Sequence, residues 1–224
     1  MGKKIRVLDL YSGTGSVEKT LKKLYPGKIE VVSVDIDSSF RPTICADVLD
    51  IDYKKMWKKG EFDAIWSSSP CTWYSLARNS VPRDFTLADK LVKRAIEIIQ
   101  YLQPERWFME NPRAFMRLRP FMQPMEQYRN TVNYCRYSSR GDVYKYSKPT
   151  DVWSNYAFQS RQCCKTDRCK YFKNGCHPVT AQKGPSWSST PAMGSIKSEN
   201  VYRVPRKLIA DLFDGLAGLP PGLR

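Results

Sequence analysis

Two residues in this sequence, a cysteine and a glutamate, each follow an apolar run and together could do covalent chemistry. Cys71 stands behind Pro70 in the loop after the run 62–66, and Glu110 directly follows the run 107–109. A cysteine is nucleophilic as a thiolate, and a loop that faces cationic groups favours that form. A glutamate that ends an apolar run should be partly desolvated, which favours keeping or sharing a proton. Such a carboxyl could hold the edge of a base and stabilise protonation at a ring nitrogen, so the pair predicts covalent chemistry on an electron-poor ring.

A second set of residues predicts a site for an adenosine-bearing cofactor. Gly13 and Gly15 follow the first apolar run and would let the backbone turn tightly against a ligand. Asp35 and Asp47, which close later predicted strands, could accept hydrogen bonds from ribose hydroxyls and from an adenine amino group. The Gly-x-Gly turn falls short of the six-residue dinucleotide fingerprint. Each acid could instead simply cap a loop, but together with the glycine turn they favour the cofactor.

The elements that must position these residues are strands and helices that alternate along the first half of the chain. This alternation predicts an α/β fold of parallel βαβ units with ligands at the carboxyl ends of the strands. Because Glu110 lies one such unit after Cys71, adjacent strands would bring the two residues together. The predicted strands are residues 5–10, 30–34, 44–46, 62–66 and 106–109, with 131–135 and 152–153 as further candidates, and the predicted helices are residues 16–24, 86–102 and 203–216.

The longest predicted helix has a recognisable start and an apolar face. Thr86 is expected to cap it, and Asp89 would complete a pair that resembles a capping box. Its predicted buried face carries Leu87, Leu91, Ile98 and Leu102.

The charge of the chain is uneven, with an excess of basic residues in the second half. The formal net charge is +15: residues 1–110 carry 18 basic and 15 acidic side chains, residues 111–154 carry 8 and 3, and residues 155–224 carry 11 and 4. This asymmetry favours a catalytic half joined to a half that meets a polyanion, nucleic acid above all, over a merely solvated basic face.

The sequence also predicts an intracellular protein with reduced thiols. It has no run of about 18 apolar residues that could span a membrane, and its start lacks the apolar stretch of a signal peptide. Seven cysteines, an odd number, argue against a disulfide framework.

A cysteine-rich stretch within residues 155–200 has the residue types of a metal site. This stretch looks loop-rich and has no evident core, so a tetrahedral zinc ion could hold it rigid. The spacing is not that of a double Cys-x-x-Cys motif, and reduced cysteines without metal or a disulfide remain alternatives. Cys45 and Cys135, in strand-like runs, are interpreted as structural. The candidate ligands are Cys163, Cys164, Cys169, Cys176 and His177.

The order of these features resembles the cytosine-C5 DNA methyltransferases, above all the small forms carried by bacteriophages and large DNA viruses. The likeness is sharpest at residues 7–15, 63–75, 107–112, 148–155 and 202–213. It implies a Rossmann-like, S-adenosylmethionine-dependent methyltransferase sheet and double-stranded DNA as the partner. It also implies three parts: a catalytic domain of residues 1–154, a target-recognition insert of residues 155–200, and a C-terminal helix in residues 201–224 that packs back on the catalytic domain.

The resemblance also implies roles for individual residues. In that family the thiolate, here Cys71, adds to C6 of a flipped-out cytosine. C5 then takes a methyl group from S-adenosylmethionine and loses its proton, and the enzyme is expelled. Glu110 matches the glutamate that contacts the base at N3 and the amino group. The residues expected at the cofactor are Tyr11, Gly13, Gly15, Asp35, Ile36, Asp47, Val48 and Pro70, and those expected at the DNA are Ser69, Asn111, Arg113, Lys148 and Thr150.

Three departures from the family pattern leave alternatives open. Many members have a Gln-x-Arg-x-Arg pattern where this chain has Thr150-Asp151, so Lys148 or an arginine such as Arg113 would have to supply the positive group. Pro112 replaces the usual valine, and the family's usual last motif is not recognised. Two alternative functions therefore stay open: methylation of cytosine in RNA, and a catalytically silent nucleic-acid-binding module with the same fold.

The expected location of the protein is the cytoplasm of a bacterial host, or the nucleus or replication site of a virus-infected cell.

Overall fold

The computed structural model describes residues 4–76, 82–139, 146, 148–163, 169–172, 177, 202–216 and 219. Seven strands in these residues form one mixed sheet, which confirms the predicted α/β fold. The strands are β1 (Ile5–Leu10), β2 (Ile29–Asp35), β3 (Ile44–Cys45), β4 (Ala64–Ser67), β5 (Arg106–Pro112), β6 (Arg129–Asn133) and β7 (Pro149–Ser154). The helices are α1 (Ser16–Leu24), α2 (Tyr53–Met56), α3 (Phe85–Leu102) and α4 (Arg206–Phe213).

The order of the strands creates a crevice at one edge of the sheet. The order is β3-β2-β1-β4-β5-β7-β6, and strands β1 to β5 are parallel. Strand β7 runs antiparallel between β5 and β6. The chain first builds outward from β1 to β3 and then resumes on the other side of β1 with β4. Such a reversal leaves room for a ligand beyond the carboxyl ends of β1 and β4.

Apolar side chains cover both faces of the sheet, because a parallel strand in the middle of a sheet is buried on both sides. On β1, Ile5 and Val7 pack with side chains of α1 and α4, and Leu8 and Leu10 pack with side chains of α3. This alternation follows from the period of two along a strand. Helices therefore hold the sheet from both faces and leave its carboxyl edge for the site.

The start of α3 differs from the prediction. Asp84, two residues before Thr86, caps the helix by accepting hydrogen bonds from the backbone N–H groups of Thr86 and Leu87 at 3.0 and 3.2 Å. The predicted capping partner, Asp89, instead accepts the Tyr74 hydroxyl at 2.8 Å and pairs with Arg119. A carboxylate accepts cap bonds most readily from the first turn of a helix, and Asp84 has that position.

The C-terminal segment returns to the first helix of the chain. Helix α4 packs with α1 in one apolar cluster, and the rings of Phe108 and Phe213 lie 5.2 Å apart. Arg106 donates to the carbonyl oxygens of Leu212 and Asp214 at 3.1 and 2.6 Å, which ties the end of α4 to the start of β5. These contacts hold α4 against α1 and β5. The three-part division of the chain stays a prediction.

The bounds of the first elements agree with the sequence prediction, and those of the later ones shift. Residues 5–10 and 16–24 are confirmed as β1 and α1, whereas β6 covers Arg129–Asn133 instead of residues 131–135. The last helix begins at Arg206, because Pro205 has the extended backbone of an N-cap. Among the described residues, no helix has the length and apolarity needed to cross a membrane.

Candidate active site

A cavity of about 490 Å³ opens at the carboxyl ends of the parallel strands, and it joins the two predicted sets of residues. Its size is within the range of pockets that bind cofactors. The predicted residues that line it are Tyr11, Gly13, Asp35, Ile36, Asp47, Val48, Ser69, Pro70, Cys71, Glu110 and Lys148. Gly15, Asn111, Arg113 and Thr150 are outside this lining.

The glycine turn has the backbone conformation that the sequence predicted. Gly13 and Gly15 have φ angles of +49° and +66°, which non-glycine residues adopt only with strain. A Cβ atom on Gly13 would meet nothing within 4 Å, so backbone conformation and not space demands glycine there. Gly15 is the N-cap of α1, and the Gly13 N–H donates to Asp35 Oδ2 at 2.7 Å. The turn therefore presents free space and the start of a helix to the cavity.

The two acids at the strand ends stabilise loops and also face the cavity. Asp35 accepts a second hydrogen bond from the Asp37 N–H at 2.9 Å, and Asp47 accepts one from the Leu49 N–H at 2.9 Å. Both side chains line the cavity. Each acid can therefore cap its loop and still offer an oxygen to a cofactor, so the two interpretations do not exclude each other.

Apolar side chains also line the cavity. One of them was not predicted from the sequence, and two were predicted to lie in the core. Phe40, Leu87 and Leu91 line it together with the exposed Ile36. Leu87 and Leu91 were predicted for the buried face of α3, but that face is formed by the next residues along, such as Ala88 and Val92. A one-residue shift turns a helix by about 100°, which brings the two leucines to the cavity.

The C-terminal segment also reaches the cavity, through Tyr202 and Val204. The Val204 N–H donates to the Ser16 hydroxyl at 3.3 Å, next to the glycine turn. The family's usual last motif is not recognised in the sequence, but residues 202–216 lie beside α1 and the cavity.

Asp9, next to the last residue of β1, is a buried acid that the sequence patterns did not single out. It is almost fully buried, lines the cavity, and its Oδ2 atom has no hydrogen-bond partner among the described residues. Burial raises the pKa of Asp9 well above its ordinary value, and the charges of Glu18 and Asp35 raise it further. A buried carboxyl with a raised pKa and one oxygen without a hydrogen-bond partner among the described residues therefore faces the cavity.

The loop that carries Cys71 is held by backbone and side-chain hydrogen bonds. The Cys71 carbonyl accepts from the N–H groups of Tyr74 and Ser75 at 3.0 and 2.8 Å. The Asn111 side-chain amide donates to the Ser69 carbonyl at 2.9 Å, which fastens the loop to β5. Asn111 is buried, and the structure thus gives it a positioning contact; its predicted contact with DNA stays a prediction.

The pKa of the Cys71 thiol is shifted upward by burial and by one neighbouring charge, and downward by another. Burial raises the pKa of the Cys71 thiol, Lys148 lowers it, and Glu110 raises it. Sequence analysis expected a cationic neighbour that favours the thiolate, and Lys148 is that neighbour. The net direction of the pKa is nevertheless upward, because the desolvation of the thiolate outweighs one cation.

Glu110 is buried and held by two hydroxyl groups. The Tyr134 hydroxyl donates to Oε1 at 2.9 Å, and the Ser68 hydroxyl donates to Oε2 at 3.1 Å. Ser68 in turn accepts from the Trp66 indole N–H at 2.8 Å. These bonds fix the plane of the carboxyl group, which lies in the same cavity as Cys71. Sequence analysis missed Ser68 and Tyr134, because neither forms a motif with Glu110.

Asp151, which stands where an arginine was expected, is an anchor for other arginines. It is fully buried on β7 and accepts from the Thr131 hydroxyl at 2.6 Å. Arg129 lies 3.3 Å and Arg117 3.8 Å from its two oxygens. The neighbouring Thr150 is also buried and donates to the Lys148 carbonyl at 3.2 Å.

These arginines form a polar recess beside the cavity. The recess, about 300 Å³ in volume, is lined by Arg113, Arg117, Arg129, Asn130, Thr131, Ser160 and Gln162. Arg113 directly follows Pro112, which lines the cavity, so the two spaces are adjacent. Arg113, predicted to contact the base, thus lies in the recess and not in the cavity lining.

The cysteine-rich stretch contributes part of a second cluster. The thiols of Cys135, Cys163 and Cys169 and the ring of His177 converge. Cys135 was interpreted as a structural strand residue, but it follows β6 in a short helical turn, Tyr134–Arg136, and belongs to this cluster. The candidates Cys164 and Cys176 lie outside the described residues. Cys45, also interpreted as structural, is exposed on β3.

The strand order, with one antiparallel strand next to the edge, and the cavity at the carboxyl ends of β1 and β4 define a Rossmann-like methyltransferase. The structure of the Entamoeba histolytica methyltransferase EhMeth shares this fold, with a TM-score of 0.50 and 16% identity over 72% of this chain and 57% of that one. The S. pombe Dnmt2 methyltransferase superposes with a TM-score of 0.48 and 13% identity over 70% and 53%. The chain therefore spans little more than half the length of these two proteins.

Sequence comparison narrows this class to a family. The family described as C-5 cytosine-specific DNA methylase matches residues 5–169. The "Probable DNA (cytosine-5)-methyltransferase" of Frog virus 3 (isolate Goorha) is 32% identical over 231 residues, which are 94% of this chain and 99% of that protein. The chain belongs to the C-5 cytosine-specific DNA methylase family and is a DNA cytosine-5 methyltransferase, as the sequence predicted.

Proposed function

We propose that this enzyme methylates cytosine in double-stranded DNA through a covalent adduct at Cys71, with S-adenosylmethionine in the same cavity. One observation carries this proposal: Cys71 and Glu110 share a cavity with the glycine turn and the acids at the ends of β2 and β3. The nucleophile, the base-holding carboxyl and the cofactor site are thus adjacent without any rearrangement of the sheet.

The described residues fit S-adenosylmethionine in charge and in shape. Asp35 and Asp47 offer carboxylate oxygens for ribose and adenine donors, and Ile36 and Phe40 offer apolar surface for the adenine ring. The start of α1 after Gly15 has N–H groups suited to the carboxylate of the methionine part. The bound cofactor would supply the methyl group. Asp9, whose pKa is raised and whose Oδ2 atom has no partner among the described residues, would form one further hydrogen bond within the cavity.

The residues around the base divide the chemistry between them. The Cys71 sulfur forms a bond to C6 of the cytosine, which makes C5 nucleophilic, and Glu110 holds N3 and the amino group while the ring carries the extra electrons. After C5 has gained the methyl group and given up its proton to solvent water, the electrons of the C5–H bond form the C5–C6 double bond, the C6–S bond breaks and the thiolate leaves. Lys148, whose charge lowers the pKa of Cys71, stabilises this thiolate at the start and the end of the cycle.

The polar recess suits the DNA backbone. Arg113, Arg117 and Arg129 line the recess, and among the described residues only two acids, Asp151 and Glu126, pair with them, which leaves an excess of positive charge beside the cavity. Phosphate oxygens accept the paired N–H donors of arginine, and such contacts position a duplex without reading its sequence. We therefore assign Arg113 to a phosphate near the flipped cytosine and Lys148 to the base side.

The test is a trapping experiment on DNA that contains 5-fluorocytosine. Fluorine at C5 blocks proton loss, so a duplex with S-adenosylmethionine should give a stable protein–DNA adduct on a denaturing gel. Cys71→Ser should abolish this adduct, and Cys45→Ser, which changes an exposed cysteine, should preserve it. An adduct that survives Cys71→Ser would refute the covalent role. An adduct formed only on RNA of the same sequence would assign the enzyme a different substrate.

A further inference from the structure

A cluster of three cysteines and one histidine lies outside the cavity. The ligand atoms of Cys135, Cys163, Cys169 and His177 are all within 4.8 Å of one another. The Nε2 atom of His177 is 3.6 Å from the sulfur of Cys163 and 3.6 Å from the sulfur of Cys169. Cys135 and Cys169 are buried, and none of the three cysteines forms a disulfide.

These separations are those of ligands around a tetrahedral metal ion. Zinc binds sulfur at about 2.3 Å and imidazole nitrogen at about 2.0–2.1 Å, so tetrahedral angles place a sulfur and a nitrogen about 3.6 Å apart. A disulfide would need two sulfurs only about 2.05 Å apart, and no pair of the described cysteines is bonded in this way. The cluster therefore has the spacing of a metal site and not of an oxidised pair.

We propose that Cys135, Cys163, Cys169 and His177 bind one zinc ion in a closed tetrahedral site. Three thiolates and one imidazole are the donors that zinc prefers, and four protein ligands leave no open position for water or substrate. The site is therefore structural. It is distinct from the methyl-transfer cavity, since none of its ligands lines that cavity.

The ligands come from two separate parts of the chain, so the metal acts as a clamp. Cys135 belongs to the turn after β6, and the other three ligands belong to the segment that follows β7. Neighbouring hydrogen bonds already align the two parts: the Cys163 N–H donates to Asn133 Oδ1 at 2.9 Å, and the Asn133 N–H donates to the Arg161 carbonyl at 3.0 Å. A metal would convert this weak alignment into a firm crosslink between the insert and the sheet.

The other contacts of the ligands are those of a built site. The ring of Phe172 packs against the ring of His177 at 5.4 Å, and the Phe172 N–H donates to the Cys169 carbonyl at 2.8 Å. The side chains of Lys170 and Tyr171 donate to the backbone carbonyls of residues 138 and 139, each at 3.3 Å. The segment that carries Cys169 is therefore attached to the turn after β6 independently of the metal.

One ligand of the site is next in the chain to a residue that contacts the catalytic carboxyl. Tyr134, whose hydroxyl donates to Glu110, directly precedes Cys135 in the same helical turn. A metal at Cys135 fixes this turn and with it the phenol that orients Glu110. The clamp thus connects the rigidity of the insert with the geometry of the active site, although it does no chemistry itself.

Metal analysis of the full chain tests the proposal. Protein purified without chelator and dialysed should contain about one zinc per chain by elemental analysis. Cys135→Ser should lower this content at least about fivefold, because three ligands hold zinc far less tightly than four. Cys45→Ser, a change of an exposed cysteine outside the cluster, should leave it unchanged. Less than about half an equivalent of zinc in the parent protein would overturn the proposal.

A cobalt titration of the parent protein tests the same ligand set even if a variant folds poorly. Parent protein stripped by a chelator and loaded with Co²⁺ should show the visible absorption of a tetrahedral site with thiolate ligands. Cys164→Ser and Cys176→Ser should preserve that spectrum, and Cys163→Ser and His177→Ala should remove or shift it. A spectrum that depends on Cys164 or Cys176 and not on Cys135 would refute the proposed ligand set. None of these readouts uses DNA or S-adenosylmethionine, so their failure would leave the proposed methyl-transfer mechanism untouched.

Discussion

The catalytic cavity and the Cys₃His cluster both contain cysteine, but they surround it in opposite ways. Of the cysteines that the structure describes, Cys71 alone lines the cavity, where Lys148 and Glu110 are its charged neighbours. In the cluster, three thiols and an imidazole lie within 4.8 Å of one another. A lone thiol with a single cation remains available to attack a substrate, whereas several soft donors in contact with each other are suited to share a metal ion.

The two regions also differ in how visible they are from the sequence. The residues of the cavity occupy short motifs at strand ends, where the fold class alone places them together. The cluster joins Cys135 to a segment that begins 28 residues later at Cys163, and it depends on how the turn after β6 meets the insert. From closeness in the sequence, Cys164 and Cys176 were therefore predicted as metal ligands. Closeness in the folded structure adds Cys135 as a candidate ligand.

The largest difference between the two regions is expected for a change of Glu110. This carboxyl accepts a hydrogen bond from Tyr134, the residue before Cys135 of the cluster. Glu110→Gln should lower the single-turnover rate of methyl transfer by about 10²- to 10⁴-fold, because it removes a group that shares a proton with the base. Its zinc content should equal that of the parent protein. Tyr134→Phe, which removes one of two hydrogen bonds to the carboxyl, should cost only about tenfold.

The control for this series is Glu105→Gln, an exposed glutamate at the start of the sheet. It should leave both the rate and the zinc content unchanged. Transfer of labelled methyl groups to duplex DNA in the presence of excess enzyme measures the rate. If Glu110→Gln retained more than half of the parent rate, Glu110 would be a structural residue and the proposed role of the carboxyl would be wrong.

Much of the cavity could be predicted because its residues depend on local rules. The glycine turn requires positive φ angles, the strand-end acids follow from the apolar pattern, and parallel strands bring Cys71 and Glu110 to one edge. These rules need only the period of a strand and the direction of neighbouring strands.

The remaining features depend on long-range packing that no local pattern encodes. Leu87 and Leu91 repeat like core residues, yet the rotation of α3 on the sheet directs them into the cavity. Asp151 breaks the expected arginine pattern, and only the approach of Arg117 and Arg129 explains how a buried carboxylate is tolerated there. Ser68, in the loop after β4, and Tyr134, in the turn after β6, reach Glu110 from distant parts of the chain and so escape any motif.

A moderate effect is expected when the charge around Cys71 is changed. Because burial raises the pKa of this thiol, it is mostly protonated at neutral pH, and its alkylation rate should rise about tenfold per pH unit until the folded pKa is reached. Lys148→Ala removes the influence that lowers the pKa and should slow alkylation at a given pH. Glu110→Gln removes one that raises it and should speed alkylation. Lys58→Ala, an exposed lysine elsewhere, is the matched control.

Peptide mass mapping after timed exposure to iodoacetamide gives these rates for each cysteine separately, which sharpens the contrast between the regions. With zinc bound, Cys135 and Cys163 should resist alkylation at every pH and become reactive once a chelator has removed the metal. A Cys71 rate that falls as pH rises, or one that is indifferent to Lys148→Ala, would contradict the electrostatic description of the cavity.

The smallest effect concerns Asp9, the cavity acid whose pKa is raised by burial. An acid whose pKa is raised on folding costs no stability below its unfolded pKa, and its cost grows as pH rises from there toward the folded pKa. Asp9→Asn removes this cost, so the variant should melt at about the parent temperature near pH 4 and about 2–4 °C higher near pH 8, the shift that ~1 kcal/mol produces in a domain of this size. Calorimetric melting curves at both values of pH measure the difference. Equal gains in melting temperature at both values of pH would mean that Asp9 is ionised in the folded protein.

The same substitution should weaken binding of S-adenosylhomocysteine if Oδ2 of Asp9 contacts the cofactor, because an amide cannot replace a protonated carboxyl as both donor and acceptor at one atom.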